Sequence, residues 1–275
     1  MIHDLLAVAA LEFVSAARLK WVRLLTVAFA ALAVAAAYSS GAAQDLSGAD
    51  GFARTTMSLI PVVLLLVPLA ALVLGVSGQT VESGHDAFLF GQPIGRGTVL
   101  VARWLGEAAA LAGAIGGGLG LGGALIATSN GIDGVPRFAF FIAASLSLAL
   151  IFLSMAAAIA AFTDKRVTAL SIATFAWFFF VLLYDGAALS LAGRLTGAFG
   201  GRVLFASVFA NPADLIRVAM LSIAGTPNVL GAAGEAWMRF LGGATAATVT
   251  CAGVLAAWTA APLAIAAHAM GTRDL

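Results

Sequence analysis

Charge is what this chain of 275 residues has least of: 14 Lys and Arg stand against 13 Asp and Glu, 10% of the sequence, where an ordinary soluble protein carries about 25%. So few charges cannot cover one or two soluble domains of this length, which excludes a free-standing soluble enzyme and a disordered chain. A net charge of +1 supplies no basic field for nucleic acid. One cysteine, Cys251, permits neither an intrachain disulfide nor a thiolate cluster for a metal. Histidine is scarce too, and His3, His85 and His268 fall in flanks rather than within apolar runs. That placement argues against haem ligation, and the absence of HExxH argues against an intramembrane zinc protease. No GxxxxGK[ST] phosphate loop occurs, so any ATP must be bound by another subunit.

Hydrophobic residues make up 62% of the chain, and the mean hydropathy of +1.05 makes lipid the natural solvent. Asp4 and Glu12 interrupt the start and the first long apolar run follows Arg23, which reads as a retained span rather than a cleaved signal. A bilayer core of about 30 Å needs roughly 20 apolar helical residues. Six runs qualify, at about 24–41, 58–77, 98–128, 138–162, 167–190 and 243–267. An even count puts both ends of the chain on one side. Arg18, Lys20, Arg23, Arg96, Arg103, Lys165, Arg166 and Arg273 cluster in short flanks on that side, against Arg54, Arg137, Arg194, Arg202, Arg217 and Arg239 spread over longer loops on the other, a modest positive-inside bias that favours cytoplasmic termini.

Ahead of the first span, Ile2, Leu5, Leu6, Ala9, Phe13 and Ala16 recur at three- and four-residue steps, while Glu12 and Arg18 fall elsewhere. Residues 1–22 thus read as an amphipathic interfacial helix turning into the bilayer at Lys20 and Trp21, with a simple extension of the first span as the alternative. The polar 79–103 loop sets Glu82, Gly84, His85 and Asp86 before an apolar stretch and breaks at Gly91, Pro93, Gly95 and Gly97 around Arg96, a pattern suited to docking a partner. Residues 191–242 exceed a bare hairpin. Within them Asn211 can cap a helix that has Pro212 first and Asp214 in its opening turn, with Leu215, Ile216, Ala219 and Ile223 as an apolar face on the outer membrane surface and Arg217 beyond.

Gly118, Gly120 and Gly123 have the spacing of a dinucleotide fingerprint, but inside a glycine-rich span they read as close helix packing. Glu107 and Asp185 are ionisable residues near opposite span ends. Such residues are functional candidates by default, and here interfacial snorkelling or an interhelical hydrogen bond is the favoured reading. Met57, Met220 and Met238 could ligate copper(I) in principle, yet they are not clustered and apolar packing explains them better.

Taken in order, Ala10-Leu11-Glu12-Phe13, Arg18-Leu19-Lys20-Trp21, six spans, and a loop holding Glu82 and Pro93-Ile94-Gly95-Arg96-Gly97 resemble a type-2 ABC transporter permease over almost the whole chain. Pro93 to Gly97 and Asn211 to Arg217 look most like the permeases of ABC complexes that serve maturation of the copper enzyme nitrous oxide reductase, although Ser83-Gly84-His85-Asp86 replaces a more acidic stretch. The resemblance implies an all-α permease domain over residues 1–275 in the bacterial inner membrane, working as a homodimer. It further implies two cytoplasmic ABC ATPase subunits that bind ATP and Mg, with no cofactor on this chain, and a periplasmic β-helical protein and a copper chaperone as further partners. ATPase coupling then falls to Glu82, Gly84, His85, Asp86, Pro93 and Arg96, with a smaller contact at Asp164, Lys165 and Arg166. A periplasmic gate or docking site falls to Asn211, Pro212, Asp214 and Arg217. An exporter permease for a lipid-linked molecule or a peptide, or a non-transporting membrane anchor, are the competing readings; a secondary transporter would show midplane charges, broken helices or an internal repeat, and the sequence displays none convincingly.

Overall fold

The computed structural model describes residues 2–41, 48–80, 95–195, 198–224, 237 and 240–272, and among these the regular structure is helical throughout. Its elements are α1 (Ile2–Arg18), α2 (Lys20–Gly41), α3 (Gly48–Gln79), α4 (Arg96–Asn130), α5 (Val135–Ala161), α6 (Arg166–Phe178), a π-helical turn (Phe179–Leu183), α7 (Tyr184–Gly193), α8 (Ala198–Ala210), α9 (Pro212–Ala224) and α10 (Ala244–Thr272). Among the described residues six helical stretches are long and apolar enough to span a membrane, Lys20–Ser39, Gly51–Gln79, Arg96–Thr128, Val135–Ala161, Arg166–Gly193 and Thr245–Thr272, and the bent pair Phe199–Ala210 and Pro212–Ser222 meets the same measure when taken together. The six match the runs read from hydropathy. The fifth is a composite of α6, the π-turn and α7.

Spans two and four form the middle of the bundle, 61% and 56% buried along their most apolar windows, whereas spans one, five and six are only 17%, 11% and 6% buried. Val63, Val67 and Leu72 of α3 meet Leu148, Ile151 and Phe152 of α5 in the core, joined by Leu111 and Ile115 of α4. Leu5 near the start of the chain and Gly271 near its end line one groove, so both termini lie on the same side of the bundle.

Glycines in α4 set its spacing from its neighbours. A Cβ on Gly118 would lie 2.7 Å from the Thr26 carbonyl oxygen and 2.8 Å from Phe29 Cβ, and one on Gly122 would strike Ala33. Small residues one turn apart let α2 and α4 approach backbone to backbone, the packing device of membrane helices. Of the three glycines with the fingerprint spacing, Gly118 lies in this seam and Gly123 packs against Phe138 of α5, while a Cβ on Gly120 would meet nothing within 4 Å. At 35 residues, α4 is about 52 Å long at 1.5 Å per residue and outreaches an apolar core of about 30 Å. α1 packs along α4.

Candidate functional site

At the terminal end of the bundle a polar joint fastens α1 to the two helices from which residues 81–94 depart. The Arg103 guanidinium Nε lies 3.2 Å from Glu12 Oε1, with side chains 8% and 20% exposed, and Arg103 Nη1 donates to the Gly78 carbonyl at 3.4 Å. Four residues on, Glu107 is 2% exposed and accepts a hydrogen bond from Gln79 Nε2 at 3.2 Å. Gln79 also reaches the Leu100 carbonyl at 3.5 Å. Gly78 makes room for the Glu107 carboxylate, whose Oε1 would be struck by any Cβ there and has no hydrogen-bond partner among the described residues. On the other face of α4, a Cβ on Gly106 would sit 2.6 Å from the Ala9 carbonyl oxygen and 2.8 Å from the Phe13 amide nitrogen, so α1 crosses α4 in direct backbone contact.

Glu12 therefore does not face water with Arg18, as its position outside the apolar stripe suggested; it turns inward because Arg103 is there to pair it. The outward side of α1 carries Leu6, Leu11, Phe13 and Val14, suited to lipid. Arg18, Lys20 and Trp21 are exposed at the break between α1 and α2, and Arg23 Nη2 donates to the Arg18 carbonyl at 2.8 Å, closing the last turn of α1. Glu82, Gly84, His85, Asp86 and Pro93 lie outside the described residues. Arg96 opens α4 and is half-buried, with the Thr98 and Val99 amides bonded to the Gly95 carbonyl before it. Gly97 approaches the Ala267 carbonyl of α10 so closely that a Cβ would lie 2.8 Å from it. Asp164, Lys165 and Arg166 sit together in the exposed turn between α5 and α6. Of the joint residues, Gln79 and Gly106 were not anticipated. An Arg and a Glu four apart was the only trace of the joint in the sequence.

At the opposite end the chain enters the bundle a second time. α8 and α9 meet at Asn211 with a bend of 100°, and α9 packs on α3 and α5. Asn211, Ala213, Leu215 and Ile216 are fully buried, and Met220 nearly so. The expectation of an apolar face lying on the outer membrane surface is corrected by this packing: Leu215 and Ile216 are buried inside the bundle, and the corner of the elbow reaches Phe180, halfway along span five. Asn211 does cap α9, with its Oδ1 accepting the Ala213 amide at 3.0 Å, while its Nδ2 donates to the Phe180 carbonyl at 2.8 Å. Trp258 Nε1 of α10 donates to the Phe209 carbonyl at 3.0 Å, and the Tyr184 hydroxyl donates to the Ser207 carbonyl at 2.8 Å. Arg217 Nη1 lies 2.5 Å from Asp185 Oδ2 and 3.1 Å from Asp214 Oδ1. Of the two alternatives open for Glu107 and Asp185, interfacial snorkelling or an interhelical hydrogen bond, each makes the interhelical bond. Among the described residues no group of three or more His, Cys, Asp and Glu side chains could hold a metal ion.

An all-helical bundle with six candidate membrane spans, α1 packed on the third of them and a sharply bent helix pair before the sixth, fits a subunit of a membrane transporter. Residues 6–275 match the family model described as ABC-2 family transporter protein, and the chain belongs to that family. It is similar to a protein of Pseudomonas aeruginosa named "Probable ABC transporter permease protein NosY", 32% identical over 224 residues that cover 78% of this chain and 80% of the relative. The protein of the same name from Stutzerimonas stutzeri is 30% identical over 224 residues, with the same coverage.

Proposed function

We propose that this chain is the permease subunit of a NosY-like ABC complex serving maturation of nitrous oxide reductase, in the bacterial inner membrane with both termini cytoplasmic. Two copies pair, and each engages a cytoplasmic ATPase that binds ATP and Mg. The permease either moves a copper- or sulfur-related cargo or transmits force to a periplasmic β-helical partner, with a copper chaperone receiving what is delivered. The contact with the ATPase is made by Glu82, Gly84, His85, Asp86, Pro93 and Arg96, with Asp164, Lys165 and Arg166 beside them.

The observation that carries this reading is the polar joint. Gln79 and Arg103 bracket residues 81–94, and Glu12 ties α1 to the same point. A push on that loop therefore moves the ends of spans two and three and the interfacial helix as one body. Span two runs from the joint to the elbow, where α9 packs against it, which gives the push a path to the periplasmic side. The poor coverage of spans one, five and six by their own chain leaves apolar surface for the second copy.

Co-purification from membranes tests the assembly: a stoichiometric ATPase supports the ABC reading, and a β-helical periplasmic protein in the same complex supports the NosY-like one. Combined charge reversal, Glu82→Lys with Arg96→Glu, is expected to uncouple ATP hydrolysis from permease state. Unchanged assembly and coupling in that variant would remove the assignment of the contact.

A further inference from the structure

Span five is not a continuous α-helix. Over Phe179–Leu183 it makes a π-turn, and the Tyr184 amide reaches back five residues to the Phe179 carbonyl rather than four to that of Phe180. A π-turn holds one residue more than the α-helix it interrupts, and it strips a carbonyl of its helical donor. Here that carbonyl is Phe180, and the donor that replaces the helical one is Asn211 Nδ2, at 2.8 Å, from the corner of the re-entrant elbow. Asn211 is fully buried and Phe180 partly so. The Phe180 ring is held as well, edge-on to Phe152 at 6.3 Å and to Trp258 at 5.9 Å between ring centres.

Everything beyond the turn depends on its phase. α7 presents Tyr184 to the Ser207 carbonyl and Asp185 to Arg217, both on the elbow, and its inward side is marked by Ala188, partly buried, and Ala192, buried. One residue in an α-helix corresponds to about 100° of rotation. Rewinding the π-turn to α-helix without changing the sequence would turn α7 by about that angle and carry Tyr184 and Asp185 off the elbow together.

We propose that the Asn211–Phe180 hydrogen bond is a latch that holds span five in its π-turned phase, and that its release rewinds the turn and rotates Tyr184–Gly193 away from the re-entrant elbow. Asn211 is thus a positioning residue with two separable tasks, capping α9 and latching span five. The latch rests on the geometry alone; that ATP drives its release rests on the function proposed above.

The two tasks separate in Asn211→Ser, whose hydroxyl can still accept the Ala213 amide as a helix cap but is too short to reach Phe180; Asn211→Thr is the second variant should the first not assemble. Nitroxide labels are placed singly along residues 186–193 in full-length protein carrying Cys251→Ala, reconstituted in lipid, and collision with dissolved oxygen is measured at each. Without the Asn211 change the minima fall at Ala188 and Ala192. In Asn211→Ser they are expected to move by one residue, a phase shift of about 100°. Deleting Leu182 from that variant removes the surplus residue and is expected to return the minima to Ala188 and Ala192, a rescue that mere loss of packing would not give. Minima that stay at Ala188 and Ala192 in both Ser and Thr variants, or a shift that the deletion does not reverse, overturn the latch. Repeating the scan with the co-purified ATPase, nucleotide-free and ATP-trapped, separates the two ideas: a shift caused by Asn211→Ser but not by ATP keeps the latch and counts against its ATP-driven release.

Discussion

The two polar regions of this bundle are built from different chemistry. At the terminal end the joint is made by ionisable side chains, with Arg103 against Glu12 and Glu107 beside Gln79, all at least half-buried. At the elbow most of the buried ties are neutral: an amide, an indole and a phenol each donate to a backbone carbonyl, at Phe180, Phe209 and Ser207. The charged group there joins the partly exposed Arg217 and Asp185 to Asp214, which is itself buried. Parting a buried ion pair strands a charge and costs about 3 to 5 kcal/mol, whereas a neutral hydrogen bond contributes about 1 kcal/mol net. On the function proposed above, the first kind of tie suits the end where force enters and the second the end where the chain rearranges.

The largest expected effect tests the rigid end. Arg103→Met should destabilise the protein by about 3 kcal/mol or more, because the Glu12 carboxylate loses the guanidinium it was turned inward to meet. Glu12→Leu combined with Arg103→Met should recover most of that loss. Unfolding of the purified protein in mixed micelles with increasing SDS measures both, and strictly additive penalties would show that the two residues do not act as a pair. Gly106→Val comes next. Its side chain would meet the backbone of Ala9 and Phe13, at 2.6 and 2.8 Å from the first added carbon, and overpacking of this sort costs about 1 to 3 kcal/mol. Gly116, where an added Cβ meets nothing within 4 Å, supplies the contrast: Gly116→Ala should be neutral or stabilising by up to about 1 kcal/mol.

What could be read in the sequence differs between the two ends for a physical reason. Hydropathy and flanking charge located six spans, because burial of roughly 20 consecutive apolar residues is a local property of the chain. The cap at Asn211 was legible too, since the Asn-Pro pair and Asp214 act within one turn. The elbow was not. α8 and α9 are 13 residues each, too short to register as spans, and Asp214 and Arg217 gave α9 the look of a surface helix. Its capping residue bonds to the Phe180 carbonyl on the π-turn, and nothing in Phe179-Phe180-Val181-Leu182-Leu183 announces that turn. The joint shows the same limit. Arg103 and Glu107 share a face of α4 by their spacing, but Gln79 is 28 residues away and Glu12 is on another helix, so the pairing could not be read locally.

The exchangeable end should answer mutation with smaller penalties. Asn211→Ala removes cap and latch together and should cost about 1 to 2 kcal/mol in the same SDS titration, with Asn211→Ser recovering roughly the capping share of about 1 kcal/mol. If the two variants were equally destabilised, the cap would carry nothing and the latch everything.

The smallest effect is expected at the rim. Arg217 is 32% exposed and Asp185 48%, and pairs this open contribute about 0 to 1 kcal/mol once screening and side-chain entropy are counted. Asp214 lies 3.1 Å from the same guanidinium, so Asp185→Asn leaves Arg217 with a partner and should shift stability by less than about 1 kcal/mol, and by still less at high salt. Arg217→Met is the harsher change, since it leaves two carboxylates facing each other with no cation between them. A penalty for Asp185→Asn as large as that of Arg103→Met would erase the distinction between the two ends, because the rim would then be holding the elbow shut by charge just as the joint holds α1.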